Sequence, residues 1–308
     1  MGLINIMLYE IRRVRRLFLV AVAASIGTAA TADVSAQVTP EGDAAKTGVN
    51  LLGLPAAPLT EPIVTDRPDF TESALSVPWG HMQLEGGYTY IANDEDGLRT
   101  GEHVFPEFLL RTGIVEDFEF RLGWTGWSLT ESLFTEENDA GRRVRVKDHD
   151  DGATDMSVGF KVHLLEQQGL VPEFGVIGEM SLPTGSRSTG KSAGDVEPGA
   201  KLLWSYDLSE DLALSGNFNF AVPSSDSGRF FQSAASVSLS YGLTDRLGVY
   251  TEYFGFYPND RGGDCAHYAN GGFTFLVTDN FQLDIRSGVG LNEEADDCFV
   301  GAGFAIRF

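Results

Sequence analysis

From His81 onward, apolar and polar residues alternate along the chain with a period of two, the mark of strands whose two faces differ. In 118–128 one face carries Phe118, Phe120, Leu122, Trp124 and Gly126, and the other Glu119, Arg121, Gly123 and Thr125. In 155–164, Met156, Val158, Phe160, Val162 and Leu164 oppose Asp155, Ser157, Gly159, Lys161 and His163. The segments 196–206, 212–222 and 281–291 follow the same rule. Weaker examples lie near 82–91, 103–113, 171–182, 231–241, 247–257, 267–277 and 298–308, so the pattern predicts twelve strands. Most run ten residues or more. Globular strands have a mode of about five or six, whereas a tilted membrane strand needs about 9–11.

The connections decide between a soluble sandwich and a closed membrane barrel. Short turns fall at Glu116-Asp117, 166–169, 209–211, 244–246 and 278–280, and longer polar loops at 92–102, 130–152, 183–195, 223–229, 258–266 and 292–297. Alternation of short turns with longer loops, over an even number of strands, is the outer-membrane pattern. A weak repeat marks the turns. Leu208-Ser-Glu-Asp-Leu212, Leu243-Thr-Asp-Arg-Leu247 and Val277-Thr-Asp-Asn-Phe281 recur at spacings of 35 and 34 residues. A propeller could also give such a period, but its loops would not alternate in length. The chain ends Phe304-Ala-Ile306-Arg-Phe308, with apolar residues at alternate positions and an aromatic last. This resembles the C-terminal signal that barrel-assembly machinery recognises. An all-β, antiparallel up-and-down transmembrane barrel of about twelve strands is expected, in the bacterial outer membrane and surrounded by its lipid.

The first 36 residues change the picture at the N-terminus. Arg12, Arg13, Arg15 and Arg16 precede the apolar run 17–26, and Val34-Ser35-Ala36 fits a cleavage site, so 1–36 reads as a signal peptide. The apolar run is half the roughly 20 residues of a spanning helix. Residues 37–80 are expected to be a periplasmic lead-in or plug, and 81–308 the barrel. The net charge of −22 argues against a nucleic-acid partner. Cys265 and Cys298, the only cysteines, both fall near the predicted outer end. Export permits a disulfide between them. Their spacing matches no metal site.

Three runs invite a chemical reading. Gly185-Ser-Arg-Ser-Thr-Gly190-Lys191-Ser192 matches the phosphate-loop pattern, but a strand follows where a helix is required, so a flexible loop is expected. Asp148-His149-Asp150-Asp151-Gly152 could attract Ca²⁺ but lacks the spacing of a calcium loop, and reads as a solvated charged loop. The histidines at 81, 103, 149, 163 and 267 are scattered, and no serine motif accompanies them. Neither an enzyme nor a cofactor or metal protein is therefore expected. Charge does appear on the non-lipid face of the strands: Glu85, Glu107, Arg111, Glu119, Arg121, Lys161, Glu197, Lys201, Glu252, Asp284 and Arg286, with Glu173, Glu179 and Arg307 also on that face. Such charge must line water or be paired. A polar translocation path and a salt-bridged filling both satisfy that requirement.

The run Thr65-Asp66-Arg67-Pro68-Asp69-Phe70-Thr71-Glu72-Ser73, followed by Trp79-Gly80 and Gln83-Leu84-Glu85-Gly86-Gly87-Tyr88, resembles the outer-membrane family named for the meta-pathway of phenol degradation. Leu182-Pro183-Thr184-Gly185 is similar to that family too, which accounts for the phosphate-loop lookalike. The resemblance covers about 65 to 308. It implies a channel or transporter passing small solutes, with aromatic compounds suggested by the name. A structural barrel without transport is the alternative, and a lipid-modifying barrel a third. The motif residues Asp66, Arg67 and Asp69 are expected either to tuck into the periplasmic mouth and pair with lumen charges such as Arg121 or Arg286, or to form a solvated lead-in.

Overall fold

The computed structural model describes residues 48–50, 52–95, 97–137, 142–225, 228–259 and 263–308. The expected signal peptide, 1–36, lies outside the described residues. Twelve antiparallel staves form the wall: β1 (Met82–Glu95), β2 (Leu98–Val115), β3 (Phe118–Glu137), β4 in two segments (Arg143–Ala153 and Met156–Leu165), β5 (Glu173–Leu182), β6 (Glu197–Asp207), β7 (Leu212–Ala221), β8 (Gln232–Gly242), β9 (Leu247–Pro258), β10 (Ala266–Thr278), β11 (Phe281–Gly290) and β12 (Cys298–Arg307). Each pairs with its chain neighbour, and β12 pairs back onto β1 from Cys298↔Ala92 to Arg307↔Gln83, which closes the ring. Two backbone bonds between Met82 and Phe308, of 2.8 and 2.9 Å, finish the seam. Closure leaves no unpaired edge in the ring itself, the condition for a sheet to cross a bilayer. No helix among the described residues is long and apolar enough to cross a membrane; this barrel crosses with its strands.

The alternation read from sequence is the alternation of the wall. Along β11, Gln282 and Asp284 are 7% and 4% exposed, while Leu283 and Ile285 are 43% and 55% exposed. The exposed apolar residues Phe120, Phe218, Leu239, Phe273, Leu283 and Ile285 belong to an outward band that meets lipid. Most of the fully buried large side chains, including Arg111, Lys161, Gln83, Glu85 and Glu119, are polar. The molecule is thus an outer-membrane barrel with a polar interior. The C-terminal Phe304 and Ile306 point outward, each 37% exposed.

Two expected loops are corrected. Residues 92–102 and 130–152 are largely strand, because β1 to β4 run on past the membrane as paired ribbons with register Arg99↔Leu133 and Glu131↔His149. Beyond the lipid both faces meet water, so the ladder continues while the apolar alternation that reveals a strand is lost. Asp148-His149-Asp150-Asp151-Gly152 accordingly sits in the upper segment of β4, not in a loop. Where the ribbons begin, the ladder is irregular. Pro106 interrupts β2, Gly126 on β3 has φ +112°, and β4 breaks at Thr154-Asp155.

The disulfide that export would permit is not formed: Cys265 and Cys298 are both free. Cys298 opens β12 and Cys265 lies just before β10, with β11 between those strands. Two inter-strand spacings come to about 10 Å, beyond the reach of a disulfide.

Candidate functional site: a segment folded into the lumen

Residues 63–79 do not hang below the barrel. Ile63 N–H donates to the Asp279 carbonyl at the β10–β11 turn (2.7 Å), and Arg307 holds the Glu61 carbonyl (2.8 Å), so the chain enters at the short-turn end. That end is periplasmic in outer-membrane barrels. From there residues 64–77 touch inward side chains of β1, β2, β3, β4, β6, β8, β9 and β11. A segment that reaches strands all round a closed ring lies inside it.

Asp66 is the hub of the lower part. Its carboxylate accepts from Arg121 Nη1 at 2.6 Å and Lys161 Nζ at 2.8 Å, and lies 3.5 Å from Arg111 Nη1. Arg111 is itself held by Glu119 (2.9 Å) and Glu85 (3.1 Å), and Arg121 by Glu119 (2.8 Å). Glu85 in turn accepts from the Asp66 backbone N–H. All six side chains are nearly or wholly buried. Buried ions are tolerated only when paired and hydrogen-bonded, and each of these has at least two charged or polar partners. Asp66 Oδ1 also accepts from the Ser73 N–H (3.0 Å), joining the entering and returning limbs of the loop.

Arg67 shows why glycine is needed in the wall. Its guanidinium bridges Glu107 (2.9 Å) and Asp284 (3.3 Å). To do so it lies flat on Gly87 and Gly303, which face each other across the β1–β12 seam. A Cβ at Gly87 would stand 2.5 Å from Arg67 Nη2, and one at Gly303 2.4 Å from Arg67 Nε. The returning limb presses on the wall likewise: a Cβ at Gly113 would meet the Pro78 carbonyl at 2.3 Å.

The tip of the loop is held differently. Glu252 on β9 accepts from Phe70 N–H (2.8 Å), Thr71 N–H (2.7 Å) and Thr71 Oγ1 (2.6 Å), and from Asn270 Nδ2 (2.7 Å). The Phe70 ring stacks on Phe254 at 4.6 Å and 10°, and Phe254 stacks on Tyr268 at 4.8 Å and 12°. Beyond the tip Glu72 binds Lys201 (3.1 Å) and Arg121 (3.3 Å). Lys161 and Arg111 then hold the Ser73 and Leu75 carbonyls, and Glu119 accepts the Val77 N–H.

Of the lumen residues read from sequence, Glu85, Glu107, Arg111, Glu119, Arg121, Lys161, Lys201, Glu252, Asp284 and Arg286 all contact this segment. Arg286 does so through the Pro68 carbonyl (3.0 Å) and also meets Glu107 (3.2 Å). Glu197 does not join them; it accepts the Ser224 N–H in an outer loop. Among the motif residues, Thr65 binds Gln282 (2.9 Å), and Asp69 is half-buried beside the tip. Of the two lumen arginines expected to meet the motif, Arg121 takes Asp66 and Arg286 takes the Pro68 carbonyl. Sequence reasoning placed Phe70, Thr71 and Glu72 in the motif run without a role and missed the ring cluster of Phe254, Phe256, Tyr268 and Phe299. The available signal was the run Tyr253-Phe254-Gly255-Phe256-Tyr257, which places aromatics on both faces of one strand.

The phosphate-loop lookalike contains only a 3₁₀ turn, Arg187–Thr189, and no helix follows it. Lys191 instead reaches across to Thr130 (2.6 Å) and Glu102 (3.5 Å) on the inner face of the β2–β3 ribbon. No group of three or more potential metal-ligating side chains occurs among the described residues.

Comparisons with known proteins agree with this architecture. The crystal structure of the COG4313 outer membrane channel from Pseudomonas putida F1 superposes with a TM-score of 0.55 at 14% identity, covering 79% of this chain and 99% of that one. The NanC porin (TM-score 0.41, 11% identity, 74% of this chain and 98% of that one) also matches, as does the translocator domain of the autotransporter NalP from Neisseria meningitidis (0.46, 10%, 76% and 91%). At these identities the likeness is one of fold, and the two lower scores carry no argument. No curated protein matches the chain by sequence. A family model does, over residues 65–308, which takes in the internal segment and the whole barrel. The chain belongs to the family described as "Putative MetA-pathway of phenol degradation".

Proposed function

We propose that this barrel is an outer-membrane channel for small solutes, held shut by its own residues 63–79, and that passage requires this segment to shift. The observation that carries the reading is the attachment of the segment. Its hub, Asp66, is held by Arg111, Arg121 and Lys161 from three different strands. A lumen with this many ionic groups is built for water and polar contacts, and polar interiors are those of water-filled channels as well as of barrels plugged by their own loops. The family description makes aromatic compounds the first solutes to try.

The reading is of a conduit and not of a catalyst. All five histidines have structural partners: His81 meets the Ala57 carbonyl, His103 meets Tyr88, His149 lies 3.6 Å from Asp151, His163 lies between Asp117 and Glu173, and His267 meets Tyr253. The outward Phe304, Ile306 and the terminal Phe308 fit a signal read by barrel-assembly machinery, with outer-membrane lipid around the band. Fullness of the lumen favours one rival reading, a structural barrel that never opens. Liposome swelling separates the two. The channel reading expects swelling above protein-free vesicles with a small neutral solute, faster still for Asp66→Ala. Swelling equal to protein-free vesicles for both proteins would leave the structural barrel.

A further inference from the structure

The ring cluster at the tip of the internal segment is not used by the ion network. Phe254, Tyr268 and Ala295 are buried, with Phe70, Phe256 and Phe299 packed against them and partly exposed. Phe254 and Tyr268 come from facing positions of β9 and β10, Phe299 from β12, and Ala295 from the outer loop between β11 and β12. The cluster therefore stands between the tip and the outer mouth. Phe256 meets Phe70 edge-on at 5.4 Å and Tyr268 at 6.3 Å. Arg286, which also holds the Pro68 carbonyl, places its guanidinium 5.6 Å from the Phe299 ring centre.

One ring in this cluster is unlike the others. Phe254, Phe256, Tyr268 and Phe299 are fixed to the wall by their strands, whereas Phe70 arrives on the segment that must move. Its parallel stack on Phe254 is the arrangement a planar aromatic molecule of similar size would adopt there. Its edge contact with Phe256 would serve such a molecule as well. The neighbouring Phe70 and Thr71 N–H groups are those that Glu252 anchors.

We infer that the face of Phe254 flanked by Phe256 and backed on its other side by Tyr268 is a binding site for a planar aromatic solute, and that Phe70 is its built-in competitor. A solute entering from outside takes the place of the Phe70 ring, and the displaced ring withdraws the tip from Glu252. Arrival of the cargo is thereby coupled to release of the segment. A saturated ring of equal size fills space but does not stack, so it competes poorly. This inference rests on the channel reading proposed above and adds to it a recognition site and a trigger.

The test is hydrogen exchange of the Phe70 and Thr71 amides in the full mature protein in lipid, with phenol or cyclohexanol at equal concentration. Phenol is expected to speed exchange of these amides roughly fivefold, on the scale of one stacking contact, and cyclohexanol to leave it unchanged. Phe254→Leu keeps an apolar side chain and removes the ring face, and is expected to abolish the phenol effect while β9 amides stay protected. Equal responses to the two alcohols, no response to either, or a phenol effect that survives in Phe254→Leu would each overturn the inference. Liposome swelling keeps the two ideas apart. Phenol-insensitive exchange in a protein that swells vesicles sinks the trigger and spares the channel. Phenol-sensitive exchange in a protein that never swells them does the reverse.

Discussion

Two regions of this barrel carry dense ion pairing, and they differ in what water can reach. In the lower lumen Arg111 and Glu119 have side chains 1% and 0% exposed, and Lys161 and Asp66 are 0% and 2% exposed. On the ribbons beyond the membrane, Lys147 and Glu131 pair at the similar distance of 2.9 Å with side chains 63% and 47% exposed, and Arg99 and Asp94 at 2.6 Å with 70% and 44%. Distance alone would rank these pairs together. Burial separates them, because an exposed pair gains little over its hydrated parts, whereas a buried ion stripped of its partner is strongly destabilising. The lower network can therefore hold a loop in place, and the outer pairs cannot.

Removing the hub is the harshest way to break this contrast. Asp66→Ala leaves Arg111, Arg121 and Lys161 crowded without their shared anion, a loss of about 3–5 kcal/mol for a broken buried pair. Hydrogen exchange of the backbone amides within 66–77 should then rise by roughly two to four orders of magnitude, while the β9–β11 wall stays protected. Gly87→Val attacks the seat of Arg67 from the wall side. The new side chain overlaps a guanidinium that a Cβ alone would meet at 2.5 Å. Such overpacking costs about 1–3 kcal/mol, visible as a lower thermal midpoint together with faster exchange near Arg67. Glu252→Gln turns a donor toward the Thr71 N–H and strands part of the tip. A cost of about 1–3 kcal/mol is expected for the unsatisfied group, confined to the Phe70 and Thr71 amides. Lys147→Ala on the ribbon should leave the thermal midpoint and the lumen amides unchanged. A shift there as large as that of Asp66→Ala would erase the distinction between the two regions.

Much of the wall is legible in the sequence, because lipid outside and water inside impose opposite demands on successive residues. Phe281 to Leu291 reads correctly for that reason. The ribbons of β1 to β4 were read as loops because no lipid imposes alternation on residues 130–152. The irregular step at Pro106 and Gly126 brings a change of face that a strict period of two cannot follow. Arg111 and Glu107 face inward below it, yet Val104, 7% exposed, is inward above it. The lumen charges could be recognised individually, and the motif around Asp66 was expected at the mouth with Arg121 as one partner. Their assembly around a returning loop could not be read, since Asp66 meets Lys161 across 95 positions and Arg67 meets Asp284 across 217. The glycines at 87 and 303 make sense only once Arg67 is seen lying on them.

Single-channel conductance in planar bilayers tests most directly the claim that this segment closes the pore. The mature protein should be closed for most of the record, with brief small openings. Asp66→Ala and Arg67→Ala should each lengthen those openings, Asp66→Ala more than Arg67→Ala, and Lys147→Ala should match the unsubstituted protein. Records from Asp66→Ala and Arg67→Ala indistinguishable from those of the unsubstituted barrel would contradict the account.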